Sequence, residues 1–257
     1  MPIVASINLT PVKGTALHQP ARVHLSATGP EENRRFFLVD DAGDLFSAPD
    51  LGPLVRIVAA FDPSEDVLAL TFPGREPLRG PAGGTGETLT VDFYGRPVEA
   101  EVVGGPFSDA LSGYADRPLR LLRCLRSGDG SDVHHLSIVS RASVAALGAA
   151  AGRAGLDPRR FRMDLELDGC DPYEEDTWDG RRVRIGEAVV RVCGQVPRCV
   201  LTTKDPDTGD KDFETLHEIA RQRPRIDGGR GLPFGMYGEV EVPGDVAVGD
   251  EVEPLDG

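Results

Sequence analysis

Short apolar–polar alternations, broken every few residues by glycine or proline, run through this chain and rule out a fold built on long helices. Its 257 residues include 31 glycines and 21 prolines. Near the start, Ile3, Ala5, Ile7 and Leu9 share one face of an extended segment, with Val4, Ser6 and Asn8 on the other. Phe36–Val39 and residues 55–61, 67–72, 183–185, 189–192 and 199–203 read as further short strands. Leu89, Val91 and Phe93, then Val98, Ala100 and Val102, alternate on either side of Gly95. Residues 237–242 and 246–252 read as a closing hairpin around Pro243-Gly244. Residues 80–86 are glycine-rich without apolar periodicity and read as a flexible loop. Helical spacing is confined to residues 108–113, capped by Ser108, and to 143–154 and 213–223. The expected fold is mainly β within the α+β class, barrel-like, with a few peripheral helices.

Charge and cysteine content narrow the function. Hydrophobic residues at 40% and charged residues at 27% fit a globular chain, long enough for one large domain or two small ones. A net charge of −14 argues against nucleic-acid and anionic-membrane partners, which need local excess Lys and Arg. It leaves room for one small anionic ligand in a local basic pocket. Cys124, Cys170, Cys193 and Cys199 form no C-x-x-C pair, so neither a structural zinc site nor an iron–sulfur cluster is expected. The first residues lack a basic and apolar leader, and no apolar run reaches the ~20 residues of a membrane span. A soluble, reduced, cytoplasmic protein is expected.

Several residues could carry chemistry. Cys199 lies between Arg198 and Lys204 on a β-branched segment that ends in Asp205-Pro206-Asp207-Thr208-Gly209. Positive neighbours favour a thiolate that binds a metal or attacks an electrophile. A strand would turn Arg198 to the opposite face, so that spacing alone reads Cys199 more readily as a small core residue than as a reactive thiol. The Asp205–Asp210 turn fails the EF-hand pattern, because glycine falls at its fifth position. Acidic residues from Asp164 to Asp179 read as a solvated loop. His134 and His135 precede an apolar strand and would point to opposite faces of an extension of it, so one of them can face a pocket for proton transfer.

Three segments together resemble the MOSC domain (molybdenum cofactor sulfurase C-terminal domain). They are Phe161-Arg162-Met163-Asp164, Gly169-Cys170-Asp171-Pro172-Tyr173 through Trp178, and Arg198-Cys199-Val200-Leu201-Thr202-Thr203 with the Asp-Pro-Asp-Thr-Gly turn. Pro233-Phe234-Gly235 with Tyr237, then Val248-Gly249-Asp250-Glu251-Val252, extend the match. Pro11-Val12-Lys13-Gly14 and Arg35-Phe36-Phe37-Leu38-Val39 are similar to the β-barrel region that precedes this domain. The resemblance implies an N-terminal region over 1–86 and a MOSC domain over 87–257, in the pattern of the family's amidoxime-reducing members and their bacterial relatives.

The resemblance implies a molybdenum–pyranopterin cofactor whose metal is held by Cys199. Lys13, Arg35 and Arg162 correspond to the basic residues that neutralise its phosphate and pterin, and Asp132, Asp164, Arg198 and Thr202 complete the expected cofactor-binding set. Asp164 stands where relatives carry Asn, and Val133-His134 where they carry Thr-Ser. Ser47-Ala48-Pro49-Asp50 occupies the region where an Arg is expected. The implied activity is reduction of N-hydroxylated or other N-oxygenated small molecules. Cys199 and one of His134 or His135 would be catalytic, and an external flavin, haem or iron–sulfur protein would donate electrons. Two alternatives stay open: metal-free sulfur transfer or carbon–sulfur chemistry through Cys199, and a cofactor carrier without turnover. No cysteine desulfurase domain or pyridoxal-phosphate lysine context accompanies the chain.

Overall fold

Alternation becomes sheet where the apolar faces find a shared interior. The structure, a computed structural model, describes residues 1–229 and 231–255. Its largest sheet has seven strands, in the order Ile3–Ile7, Leu165–Asp168, Leu136–Ser140, Pro233–Val242, Ala188–Pro197, Arg182–Ile185 and Val252–Pro254. The two ends of this sheet meet: the Val4 N–H donates to Asp250 O and the Val252 N–H to Pro2 O, both at 2.9 Å, and Ile3 bridges Glu251. The sheet is therefore a nearly closed barrel, a closure that removes most exposed strand edges. Val4, Ile7, Ile138, Leu165, Val190 and Met236 fill it.

A five-stranded sheet runs Leu45–Phe46, Phe36–Val39, Arg120–Cys124, Arg96–Val103, Gly84–Phe93. Phe36 and Leu38 pack with Leu54, Leu70 and Leu121, whereas Phe37 and Val39 pack with Phe93, Val98 and Leu122. Both faces are covered, so this strand is an unbroken apolar run rather than an alternation. Two three-stranded sheets complete the β structure. The helices are α1 (Phe107–Ala115), α2 (Arg141–Ala150) and α3 (Thr215–Gln222). Ser140 caps α2 by accepting from the Ala142 N–H at 3.1 Å. Ser108 instead accepts from the Leu121 N–H, and α1 begins before it. The mainly β, barrel-like fold with peripheral helices is the one the alternation predicts.

Several local expectations are overturned. Residues 80–86 are largely strand, within Leu78–Pro81 and Gly84–Phe93. Pairing of Gly80 and Pro81 with Leu68 and Val67, and of Gly84 with Val103, orders them, and Glu101 Oε1 accepts from the Gly86 N–H at 2.7 Å. The strand expected over 55–61 begins only at Val58, after a 3-10 turn Gly52–Arg56 that Pro53 initiates. The closing hairpin does not form: Gly244–Ala247 pairs with Arg22–Ser26, and Val252–Pro254 with Arg182–Ile185. At Gly244 the chain crosses so close to the 187–188 backbone that a Cβ would lie 2.6 Å from the Glu187 carbonyl carbon. Residues 199–203 hold a 3-10 turn, not a strand. His134 and His135 lie in a bend ahead of Leu136–Ser140. The acidic stretch is solvated only in part: Asp168, Asp171 and Asp179 are exposed, whereas Asp164, Glu166 and Glu175 are each 1% exposed.

Candidate functional site

The cysteine segment owes its shape to two hydroxyls. The strand Ala188–Pro197 ends, and Cys199 enters the turn Val200–Thr203 with extended backbone. The Thr202 hydroxyl donates to Cys199 O at 3.0 Å and the Thr203 hydroxyl to Val200 O at 2.7 Å, bonds that favour a tight turn over a ladder. Beneath it, Arg160 Nη1 and the Thr215 hydroxyl both donate to Thr202 O, at 3.1 and 2.6 Å. The result presents Cys199 outward as the exposed cysteine among the four. Cys124 and Cys170 are buried, and burial pushes both thiols up to about 12.

The turn that follows anchors this segment to the N-terminal half. Asp205 Oδ1 accepts from the Asp207 and Thr208 N–H groups at 2.9 Å, and Gly209 has φ +79°. Gly209 lies so close to Gly52 that a Cβ would come within 2.1 Å of the Gly52 carbonyl carbon. Lys204 Nζ donates to Ala48 O and Pro49 O at 2.8 and 2.9 Å. That brings Ser47 and Pro49 onto the wall of the cleft that opens at Cys199.

Cations dominate that wall. Lys13, Arg34, Arg160, Arg162 and Arg198 line it together with Asp132, His134, Tyr94 and Tyr237. Arg34 and Arg162 hold φ of +51° and +52°, each costing on the order of 1 kcal/mol for a residue with a side chain. Lys13 precedes Gly14, which fits only without a Cβ because Ser47 Oγ would lie 2.5 Å away.

The charges are unevenly met. Lys13, 7% exposed, pairs with Asp132 and donates to Gly130 O at 3.0 Å. Burial pulls the Lys13 ammonium below its usual range. At Asp132 burial acts against ionisation, but the Lys13 and Arg34 charges overcome it and hold the carboxyl at about 2. Arg34 lies 3.3 Å from Asp164 Oδ1 and donates to Arg162 O at 3.0 Å. Among the described residues the Arg162 side chain donates only to Thr15 O, at 2.6 Å, and burial together with the Arg34 charge pushes it down to about 9. Arg198 donates to Phe161 O and sits 3.1 Å from Met163 Sδ, with its Nε buried and unpartnered. Burial lowers its pKa too. Neither Arg162 nor Arg198 has a carboxylate partner among the described residues. A wall so charged favours an anion, and the adjoining thiol supplies a soft metal donor.

The structure brings together Lys13, Asp132, His134, Arg162, Arg198 and Cys199. Asp164 and Thr202 stand behind the wall. Asp164 accepts from Asn33 Nδ2 at 2.8 Å and from the Ser137 hydroxyl at 2.7 Å besides facing Arg34. Arg35 and His135 are not on the wall. The left-handed turn at Arg34 puts that residue on the cleft, while Arg35 Nε and Nη1 lie buried without hydrogen-bond partners. His135 Nδ1 is 3.3 Å from Gly128 O. The expectation that Arg198 turns away from Cys199 is also corrected, because the strand has ended before them. Sequence reading missed Arg34, Arg160, Tyr94 and Tyr237. An aromatic residue beside Gly95 in a hairpin turn was a usable signal for Tyr94, and Tyr237 stood in the Pro233-Phe234-Gly235 motif without a site role being assigned to it.

Family comparisons cover most of the chain. The MOSC N-terminal beta barrel domain matches residues 1–112 and the MOSC domain residues 126–253. Mitochondrial amidoxime-reducing component 1 of Homo sapiens is 36% identical over 128 residues, covering 48% of this chain and 37% of that protein. Mitochondrial amidoxime reducing component 2 of Rattus norvegicus is 42% identical over 98 residues, covering 36% of this chain and 28% of that protein. Molybdenum cofactor sulfurase of Bos taurus is 22% identical, covering 98% of this chain and 32% of that protein. The matches thus span between 28% and 37% of these relatives' own length. No helix among the described residues is long and apolar enough to cross a membrane. With the two domain matches lying end to end along it, the chain belongs to the MOSC family.

Proposed function

We propose that the cleft binds a molybdenum–pyranopterin cofactor and that the protein reduces N-hydroxylated and other N-oxygenated small molecules, drawing electrons from a separate flavin, haem or iron–sulfur protein. The observation that carries this reading is one exposed thiol, Cys199, beside two guanidiniums, Arg162 and Arg198, that form no ion pair with a carboxylate among the described residues and whose burial outweighs the longer-range pull of Asp132. A thiolate suits a soft metal site, and arginine forks suit phosphate and pterin oxygens. The names of the amidoxime-reducing and cofactor-sulfurase relatives support the same reading.

Cys199 is the metal's protein ligand. Lys13, Arg34, Arg162 and Arg198 neutralise the phosphate and pterin oxygens, while Asp132 accepts from ring N–H groups. Asp164 acts through Arg34, and Thr202 acts by fixing the turn at Cys199. When bound, the molybdenum group supplies two-electron exchange. Reducing an N–OH group to N–H breaks the N–O bond, takes up two electrons and two protons, and releases water. His134 is the chain's own proton donor in the cleft, oriented by Glu239 Oε1 at 3.2 Å from its Nδ1. With a chemical reductant and an N-hydroxyamidine substrate, the wild type turns over and Cys199→Ala does not. His134→Ala lowers kcat about 10²–10⁴-fold with KM little changed. Undiminished turnover by Cys199→Ala contradicts the reading, and a persulfide on Cys199 of active, metal-free protein would mark sulfur transfer instead.

A further inference from the structure

We propose that His134, Cys193 and Glu239 form a binding site for a zinc-class divalent cation on the barrel wall beside the Cys199 cleft. The topology sets these residues in a row. Cys193 lies on Ala188–Pro197 and Glu239 on the adjacent Pro233–Val242. His134 lies two residues before Leu136–Ser140, which pairs with the other side of Pro233–Val242. Arg191 stands opposite Glu239 in the register, so alternation puts Cys193 on the same face as both. A bulge between Val192 and Gln195 then opens the ladder at Cys193. Gly194, at φ +78°, holds that bulge by donating its N–H to Asp179 Oδ1 at 2.7 Å.

Distances within the cluster have the size of a coordination polyhedron. His134 Nδ1 is 3.5 Å from Cys193 Sγ and 3.2 Å from Glu239 Oε1, and all three donor atoms lie within 4.8 Å of one another. Bonds of about 2.3 Å to sulfur and about 2.0–2.1 Å to nitrogen and oxygen, at tetrahedral angles, give edges of about 3.6 and about 3.3 Å. All three side chains are half-buried, deep enough to be ordered and open enough for an ion to enter. The Tyr237 ring, 5.2 Å from the imidazole centroid, packs against His134. Arg191 pairs with Glu239 Oε2 and leaves Oε1 directed at the histidine, the kind of outer contact that orients a ligating carboxylate.

The donor set fixes the class of ion. One sulfur, one imidazole nitrogen and one carboxylate oxygen suit zinc and cobalt, whereas magnesium and calcium prefer oxygen alone. Three protein ligands leave a fourth position for water or a small ligand. The site is independent of the role proposed for Cys199, because it uses a different thiol and its test reads metal binding rather than turnover. It shares His134 and Glu239 with the proposed proton donor, so a bound ion would block that proton transfer.

The test uses the purified full chain washed with chelator. Cobalt(II) addition should produce a thiolate-to-cobalt charge-transfer band that saturates at one ion per chain and is absent in Cys193→Ser. Zinc, titrated against a chromophoric chelator, should bind at least about tenfold more weakly to Glu239→Gln, a variant at a strand surface that keeps the barrel core intact. Circular dichroism of both variants checks that the barrel is retained. The absence of a band in the wild type overturns the proposal. So does a band that persists in Cys193→Ser and disappears in Cys199→Ser, or zinc binding untouched by Glu239→Gln.

Discussion

Two groups of cations adjoin the Cys199 turn, and they differ in how their charge is met. In the first, Arg159 donates to both Asp157 and Asp207, while Arg153 and Arg160 converge on Asp212 at 2.6 and 3.1 Å. Hydrogen bonds to Asp207 and Asp157 push the Arg159 guanidinium further toward its charged form. In the second, Arg162 and Arg198 bond to carbonyl oxygens, and burial pushes both the other way. The first group is complete in itself and ties the 157–161 segment to the turn after Cys199. The second has no carboxylate in ion-pair contact among the described residues, Asp132 acting on it only at longer range, and a bound anion would supply that partner.

Asp212→Asn breaks the closed group most severely. It leaves the Arg160 guanidinium, 2% exposed, without a carboxylate, at a cost of about 3 kcal/mol of stability in a denaturant titration. In the open group the opposite sign is expected. Arg162→Met or Arg198→Met removes a desolvated, unpaired charge, so the cofactor-free protein melts at the same temperature or higher. Retention of the cofactor falls about 10–100-fold, the worth of one charge-assisted contact. If these variants instead unfold the protein as Asp212→Asn does, the distinction between the groups is lost.

How much of this was legible in the sequence depends on the range of the interaction. Period-two alternation exposed the barrel, because each strand carries its own buried face. The closing hairpin failed because the partner of Gly244–Ala247 lies over two hundred residues away, at Arg22–Ser26. Cys199 was found from its motif, yet its segment was misread as a strand. Val200, Thr202 and Thr203 favour strand by propensity, and the two threonine hydroxyls override that by bonding to backbone carbonyls three residues back. Arg34 and Arg35 exchanged places for an equally local reason: one left-handed residue reverses which neighbour faces the cleft. Tyr94 and Tyr237 arrive from separate sheets, and no short window of sequence joins them.

A smaller effect sharpens the contrast at Asp132, the one carboxylate on the cleft wall. Its carboxyl should titrate at about 2, below the ordinary 3.8, because the Lys13 and Arg34 charges outweigh its burial. A depressed carboxyl contributes stability that is fully present above the ordinary value and is lost as pH falls through about 2. The carbon-13 shift of the Asp132 carboxyl reports this directly, and Lys13→Met should move the midpoint upward. A midpoint that stays in place would mean the ion pair is not what holds it.

The central claim is that Cys199 and the unpaired guanidiniums together hold one molybdenum-bearing anion. Its most direct test is molybdenum content per chain after purification from a cofactor-producing host, for the wild type, Cys199→Ala and Arg159→Met. The account predicts near-stoichiometric molybdenum in the wild type and in Arg159→Met, and little in Cys199→Ala. Wild-type protein without molybdenum, or equal metal in Cys199→Ala, would contradict it.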